Sequence, residues 1–183
     1  MHDFAERLNF SHGVEIEDGI RRHLLDMIPG AAKLVEATPD EDRRGTDLWV
    51  VRRGLPSLSV DFKHRDVCPV EKWGSDDACV ETCSVYRDGR REKPGWSIDQ
   101  RKRTDILIYT WPAGTARRFW ILWFPLFQAA ALANWRAWRD EYRERAAQNR
   151  GYQTLCVYPP RKVIAAEMQT LAVGFVDAAE APQ

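Results

Sequence analysis

Residues 45–66 read GTDLWVVRRGLPSLSVDFKHRD, two apolar runs around a Gly-Leu-Pro turn, with charges at the ends of both runs. Side chains alternate along a strand, so Asp61 and Lys63 share one face while Val60 and Phe62 take the other. Asp47 stands at the start of the preceding strand of the same hairpin and so can lie beside Asp61. Two converging carboxylates repel unless something positive sits between them. Lys63 is one such charge. A hard divalent cation is a stronger one, because Mg²⁺ takes oxygen ligands and usually keeps waters and phosphate oxygens as the others. A metal there lowers the pKa of a bound water and neutralises charge building on a phosphate. A lysine beside it orients or deprotonates the attacking water, or stabilises the transition state. The plain alternative is a surface ion pair between Asp61 and Lys63, worth little in stability.

Two further acids are candidates for the same group. Glu17 borders the apolar stripe of an amphipathic segment, three residues before Ile20. Glu81 lies in ACVETCSVY, residues 78–86, which reads as a third strand. If the sheet continues in sequence order, Glu81 faces the same edge as Asp61. A charge at a sheet end explains it equally well.

The elements that must position these residues follow from periodicity. GVEIEDGIRRHLLDMIPG is a helix with the stripe Ile16, Ile20, Leu24 and Ile28, ended by Pro29-Gly30. After a charged loop come hairpin strands over about 46–52 and 57–63, then the strand at 78–86. SIDQRKR reads as a helical turn or two, and TDILIYTW and RRFWILWF as a second hairpin. Pro125 opens a long helix whose stripe is Phe127, Ala131, Trp135, Trp138, Tyr142 and Ala146. QTLCVY is a last strand, a short helix begins near Val163, and DAAEAPQ reads as a frayed tail. The fold class is α/β: one domain over 1–183, a central mixed sheet flanked by helices. Its core spans about 11–124, with a strand-helix-strand elaboration over about 125–176 and a tail at 177–183.

The constellation of a helix acid, Asp47 and Asp61-Phe62-Lys63 across a hairpin resembles the PD-(D/E)XK nuclease superfamily, with its restriction-endonuclease-like αβββαβ core. Residues 17 to about 111 fit that order. The superfamily's leading Pro is absent, since Thr46 precedes Asp47. The resemblance implies a Mg²⁺-dependent deoxyribonuclease, with Mn²⁺ as a substitute. Asp47 and Asp61 hold the ion, Glu17 completes the metal site, Lys63 is the catalytic lysine, and Glu81 is a further ligand. It also implies DNA as partner, with RNA left open. Gln100 and Lys102 fall where the superfamily often places auxiliary residues. The alternative is a catalytically inactive module of the same fold that binds nucleic acid or a protein.

Bulk features fit without deciding. Among the 183 residues, 27 bases balance 27 acids, so no global field calls for a polyanion. The charge is unevenly spread: residues 1–42 hold ten acids against four bases, and residues 87–103 hold seven bases against three acids. Arg90, Arg91, Gln100, Lys102 and Arg103 are therefore the expected nucleic-acid contacts, the alternative being a solvated basic loop. Residues 119–135 are apolar but interrupted by Pro125 and Gln128, better suited to core than to a span. With no apolar leader at the N-terminus, a cytoplasmic location is expected. The Trp-rich segment from Phe119 to Trp138 offers core or a homodimer interface. The four cysteines show no secreted disulfide spacing.

Overall fold

The computed structural model describes residues 18–65, 67–113 and 116–180. Within them the α/β chain forms two compact units, each around its own sheet. The first comprises residues 18–67 and 101–124, the second residues 68–100 and 125–180. With elements numbered along the chain, the first unit holds helices α1 (Asp18–Met27) and α2 (Pro39–Asp42). Its strands are β1 (Ala31–Glu36), β2 (Leu48–Arg52), β3 (Leu55–His64), β6 (Ile106–Ala113) and β7 (Ala116–Trp123).

The first sheet runs β1-β2-β3-β6-β7. All its pairings are antiparallel except β3 with β6, which are parallel with Asp61 opposite Leu107 and Lys63 opposite Tyr109. α1 lays Ile20 and Leu24, with Ile28 just past its end, against Leu48, Val50, Val60, Phe62, Ile106 and Ile108. Burying each such side chain contributes about 2 kcal/mol, so the core fixes which face of β3 looks inward. A slip of one residue would turn Asp61 and Lys63 into the apolar layer and Phe62 out of it. The β2–β3 hairpin closes at Arg53-Gly54, where Gly54 has φ 67°. Leu55 and Pro56, expected in the turn, already belong to β3.

The second unit holds α3 (Pro69–Trp73), α4 (Phe124–Tyr142) and α5 (Arg161–Glu180). Its strands are β4 (Val80–Arg87), β5 (Arg90–Pro94), β8 (Glu144–Asn149) and β9 (Tyr152–Val157). Its sheet is antiparallel throughout, in the order β5-β4-β9-β8. α4 buries Phe127, Ala130, Ala131 and Trp138, and Phe127 stacks on Trp96 at 5.7 Å. Gly95 lies so close to β4 that an added Cβ would sit 2.7 Å from the Thr82 amide and nearer still to the Glu81 carbonyl.

Several expectations are corrected. The strand after the hairpin in sequence does not continue the sheet. β4 joins the second sheet, and β3's neighbours are β2 and β6. β1 supplies the antiparallel third strand from the other side, although its exposed edge position left no alternating pattern to read. Residues 97–103 form turns rather than helix, with Ile98 and Asp99 amides both bonded to the Gly95 carbonyl. After β7 come helix, two strands and helix, not strand-helix-strand. The long helix stops at Tyr142, where Arg143 takes a left-handed φ of 59°, and Ala146 lies in β8. Helix α5 runs to Glu180, so residues 177–180 of the expected tail are helical. No helix among the described residues is long and apolar enough to cross a membrane.

Candidate functional site: an aspartate pair and a lysine

Asp47 immediately precedes β2. Its amide donates to the Val60 carbonyl at 2.8 Å, and its carbonyl accepts from the Ala37 amide at 3.0 Å. The side chain turns onto β3, where Oδ2 accepts from the Phe62 amide at 2.6 Å. That bond satisfies a ladder donor and fixes the carboxylate beside Asp61. The approach to Asp47 is held by α2, a capping box in which Thr38 and Glu41 bond reciprocally. The amides of Gly45 and Thr46 then bond back to the Asp42 and Glu41 carbonyls at 2.8 and 3.1 Å.

Asp61 is 3% exposed, although its face carries the charged residues. Lys63 Nζ lies 2.7 Å from Asp61 Oδ1, and the lysine side chain keeps 29% of its surface open. The Asp47 carboxyl is within hydrogen-bonding reach of Asp61 and is pushed up to about 7. Burial is the largest cause and the Asp61 charge the next; Lys63 and the Phe62 amide act in the opposite direction. Asp47 therefore meets Asp61 without enough positive charge beside it to offset its burial. Such a pair, all oxygen and short of positive charge, matches the donor set that a hard divalent ion takes. Among the described residues no third acid, histidine or cysteine joins them.

A second cation reaches the same unit by a route not visible in the sequence. Residues 103–105 cross the Asp61 face at Ser59, whose hydroxyl donates to the Arg103 carbonyl (2.8 Å) and the Asp105 carboxylate (2.9 Å). Thr104 Oγ1 then donates to the Gly45 carbonyl at 2.5 Å. Lys102 packs over Gly45: a Cβ there would lie 3.0 Å from its Cδ and 3.4 Å from Nζ. With φ +93°, Gly45 has a backbone that L side chains rarely adopt. The lysine thus packs on Gly45, the residue two before Asp47 in the chain, placed by a glycine, a serine and a threonine. The only sequence signal for them was a glycine two residues ahead of Asp47.

Of the expected site residues, Asp47, Asp61 and Lys63 come together, and Lys102 approaches their unit's Gly45. Arg103 is exposed beside it, its carbonyl tied to Ser59. Glu17 lies outside the described residues. Glu81 is on β4 in the second sheet, where its carboxylate accepts from Ser84 Oγ at 2.5 Å and the Trp96 amide at 3.3 Å. The expectation that it continues β3's sheet is corrected, because β6 occupies that position. Arg90 and Arg91 are on β5, and Gln100 is exposed in the turn that ends the second unit's first segment. Arg91 is engaged with Glu144, Nη2 lying 2.6 and 2.7 Å from the two carboxylate oxygens. All four cysteines are buried, and none is in a disulfide. Comparison with protein-family models, with curated proteins and with solved structures finds no match.

Proposed function

We propose that the chain is a Mg²⁺-dependent nuclease of the PD-(D/E)XK kind, hydrolysing phosphodiester bonds in DNA. The observation that carries this reading is the meeting of Asp47 and Asp61 with Lys63 on one face of β3, while Phe62 between them is locked in the core. The strand plan supports it. A helix precedes three antiparallel strands, and a further strand lies parallel to the last of them, as an αβββαβ core requires. The departure is between β3 and β6, where α3, β4 and β5 stand in place of a single crossover helix.

Asp47 and Asp61 would hold the ion. Bound there, Mg²⁺ supplies charge neutralisation at the phosphate and acidifies a coordinated water. The chain's own groups do the rest. The Phe62 amide fixes the Asp47 carboxylate and so sets where a phosphate approaches. Lys63, anchored on Asp61, holds its ammonium where it orients an attacking water or offsets charge growing on the phosphoryl oxygens. Lys102 supplies a further positive charge for a neighbouring phosphate.

A second reading, an inactive module that binds nucleic acid, draws on one observation: only two carboxylates meet among the described residues. A cleavage screen separates the two. Plasmid, single-stranded and junction DNA are incubated with Mg²⁺ or Mn²⁺ and the parent, Asp61→Ala or Lys63→Ala protein. The nuclease reading expects metal-dependent cutting that drops by at least about a hundredfold in each variant. Variants that cut like the parent would refute the site assignment, and tight binding without turnover would favour the inactive module.

A further inference from the structure

Three guanidinium groups converge on one indole in the second unit. Arg136, Arg91 and Arg139 place their central carbons 4.7, 5.1 and 5.9 Å from the centroid of the Trp135 ring. Significant cation–π pairs occur about once in 70–80 residues, so three on one side chain are a concentration of charge. Two of the three are balanced. Arg91 pairs with Glu144 and also donates to Thr82 Oγ1 at 3.2 Å, and Arg139 pairs with Asp140 at 2.9 Å. Arg136 is exposed and makes no ion pair or hydrogen bond among the described residues. Asp140, four residues after Arg136 along α4, is taken by Arg139.

The core of the unit does not need this arrangement. α4 already buries Phe127, Ala130, Ala131 and Trp138, while Trp135 stays half-exposed among the arginines. Trp135 and the two balanced arginines keep Arg136 beside a planar apolar surface, with its five N–H donors unspent. A guanidinium ordered in advance loses less freedom when it meets a planar or tetrahedral oxyanion, and its fork matches phosphate geometry. β5, the edge strand that carries Arg91, also carries Arg90 and Lys93 against a single acid, Glu92.

We infer that the Trp135–Arg136 cluster is a sequence-independent docking surface for the phosphodiester backbone of a nucleic acid, anchored by Arg136 and supported by Arg139. This inference rests on the nuclease reading for the identity of the polyanion. The binding it describes is separate from the carboxylate pair and persists when cleavage is disabled. The contact reads no bases, because the indole face is covered by arginines and phosphate contacts carry no direct sequence information.

The test measures binding by fluorescence anisotropy in an Asp61→Asn background with EDTA, using labelled single-stranded and duplex oligonucleotides over a salt series. Arg136→Gln is expected to weaken binding several-fold, equally for unrelated sequences. It should also make the slope of log K against log salt shallower by about 1. Adding Arg139→Gln should shift both further in the same direction, and circular dichroism should show the fold retained. Unchanged affinity and unchanged slope in both variants would overturn the inference. It would also be overturned if poly-glutamate displaced the oligonucleotide as well as inorganic polyphosphate of equal charge, since the surface would then suit acidic protein. Loss of binding in the variants with no cleavage by the parent would leave this surface standing and remove the nuclease reading.

Discussion

Asp47 offers a test that needs no substrate. In the folded, metal-free chain its carboxyl is raised from 3.8 to about 7. Across that interval the folded state holds the proton more tightly than the unfolded chain does. The stability carried by protonated Asp47 is complete below about pH 4 and is lost as the pH rises through about 7. At about 1.36 kcal/mol for each unit of difference, the loss approaches about 4 kcal/mol. For a chain of this size, about 2–4 °C of Tm follows each kcal/mol, so Tm in EDTA should fall by roughly 10 °C. Other carboxylates also move Tm with pH, so the quantity to read is the difference between the parent and Asp47→Asn. That variant keeps an oxygen for the Phe62 amide and cannot ionise. Calorimetry across the interval should show the two curves diverging, with the parent falling away toward neutral pH. On the proposed nuclease reading a cation between the carboxylates would replace the proton, so Mg²⁺ should raise the parent's Tm more at neutral pH than in acid and leave the variant unmoved. Parallel curves for parent and variant, or a parent that gains stability over the variant as pH rises, would refute the reasoning.

Two further outcomes test the scaffold. Gly95→Ala would force a methyl group into the backbone of β4, which has no side-chain end to swing aside. It should destabilise the protein by about 3 kcal/mol or more, measured by urea unfolding, whereas Gly89→Ala, with open space around it but φ +76°, should cost only about 1 kcal/mol. Gly45→Ala should cost about 1–3 kcal/mol and displace Lys102 and Thr104, weakening nucleic-acid affinity at the carboxylate site more than Lys102→Ala alone. Unchanged affinity in Gly45→Ala would mean that Gly45 serves only the turn.

The parts of the fold written in local periodicity were legible. The stripe Ile20, Leu24, Ile28 foretold α1. The alternation Val60-Asp61-Phe62-Lys63 foretold which side chains of β3 enter the core, and Pro125 marked the start of α4. Strands without a strong pattern escaped: β1 is AAKLVE on an exposed edge, with only Ala31 and Leu34 packed on the core, β5 is RREKP, and β8 is ERAAQN, which continues the helical spacing of α4 until Arg143 breaks it. Pairing was the larger loss. β4 reads as a strand as plainly as β3 does, yet nothing in its residues states that β6 takes the place beside β3. Glu81 was drawn toward the carboxylates by that assumed order. Asp47 and Asp61 were found because a hairpin is local, whereas the route of residues 102–105 across Ser59 depends on contacts more than forty residues apart in sequence.

The parallel pairing of β3 with β6 has a consequence for the order in which the chain is made. Between His64 and Ile106 the ribosome must add roughly forty residues, which at about 5–20 residues per second takes several seconds. Throughout that time the edge of β3 that carries the Asp61 backbone has no partner from its own chain. Residues 68–100 emerge first and include β4, an apolar strand with an open edge of its own. Nascent chains therefore face a choice between β4 and β6 that the sequence order favours wrongly, and a chaperone that shields β3 until residue 113 has emerged would raise the yield of protein in which the aspartate pair forms at all.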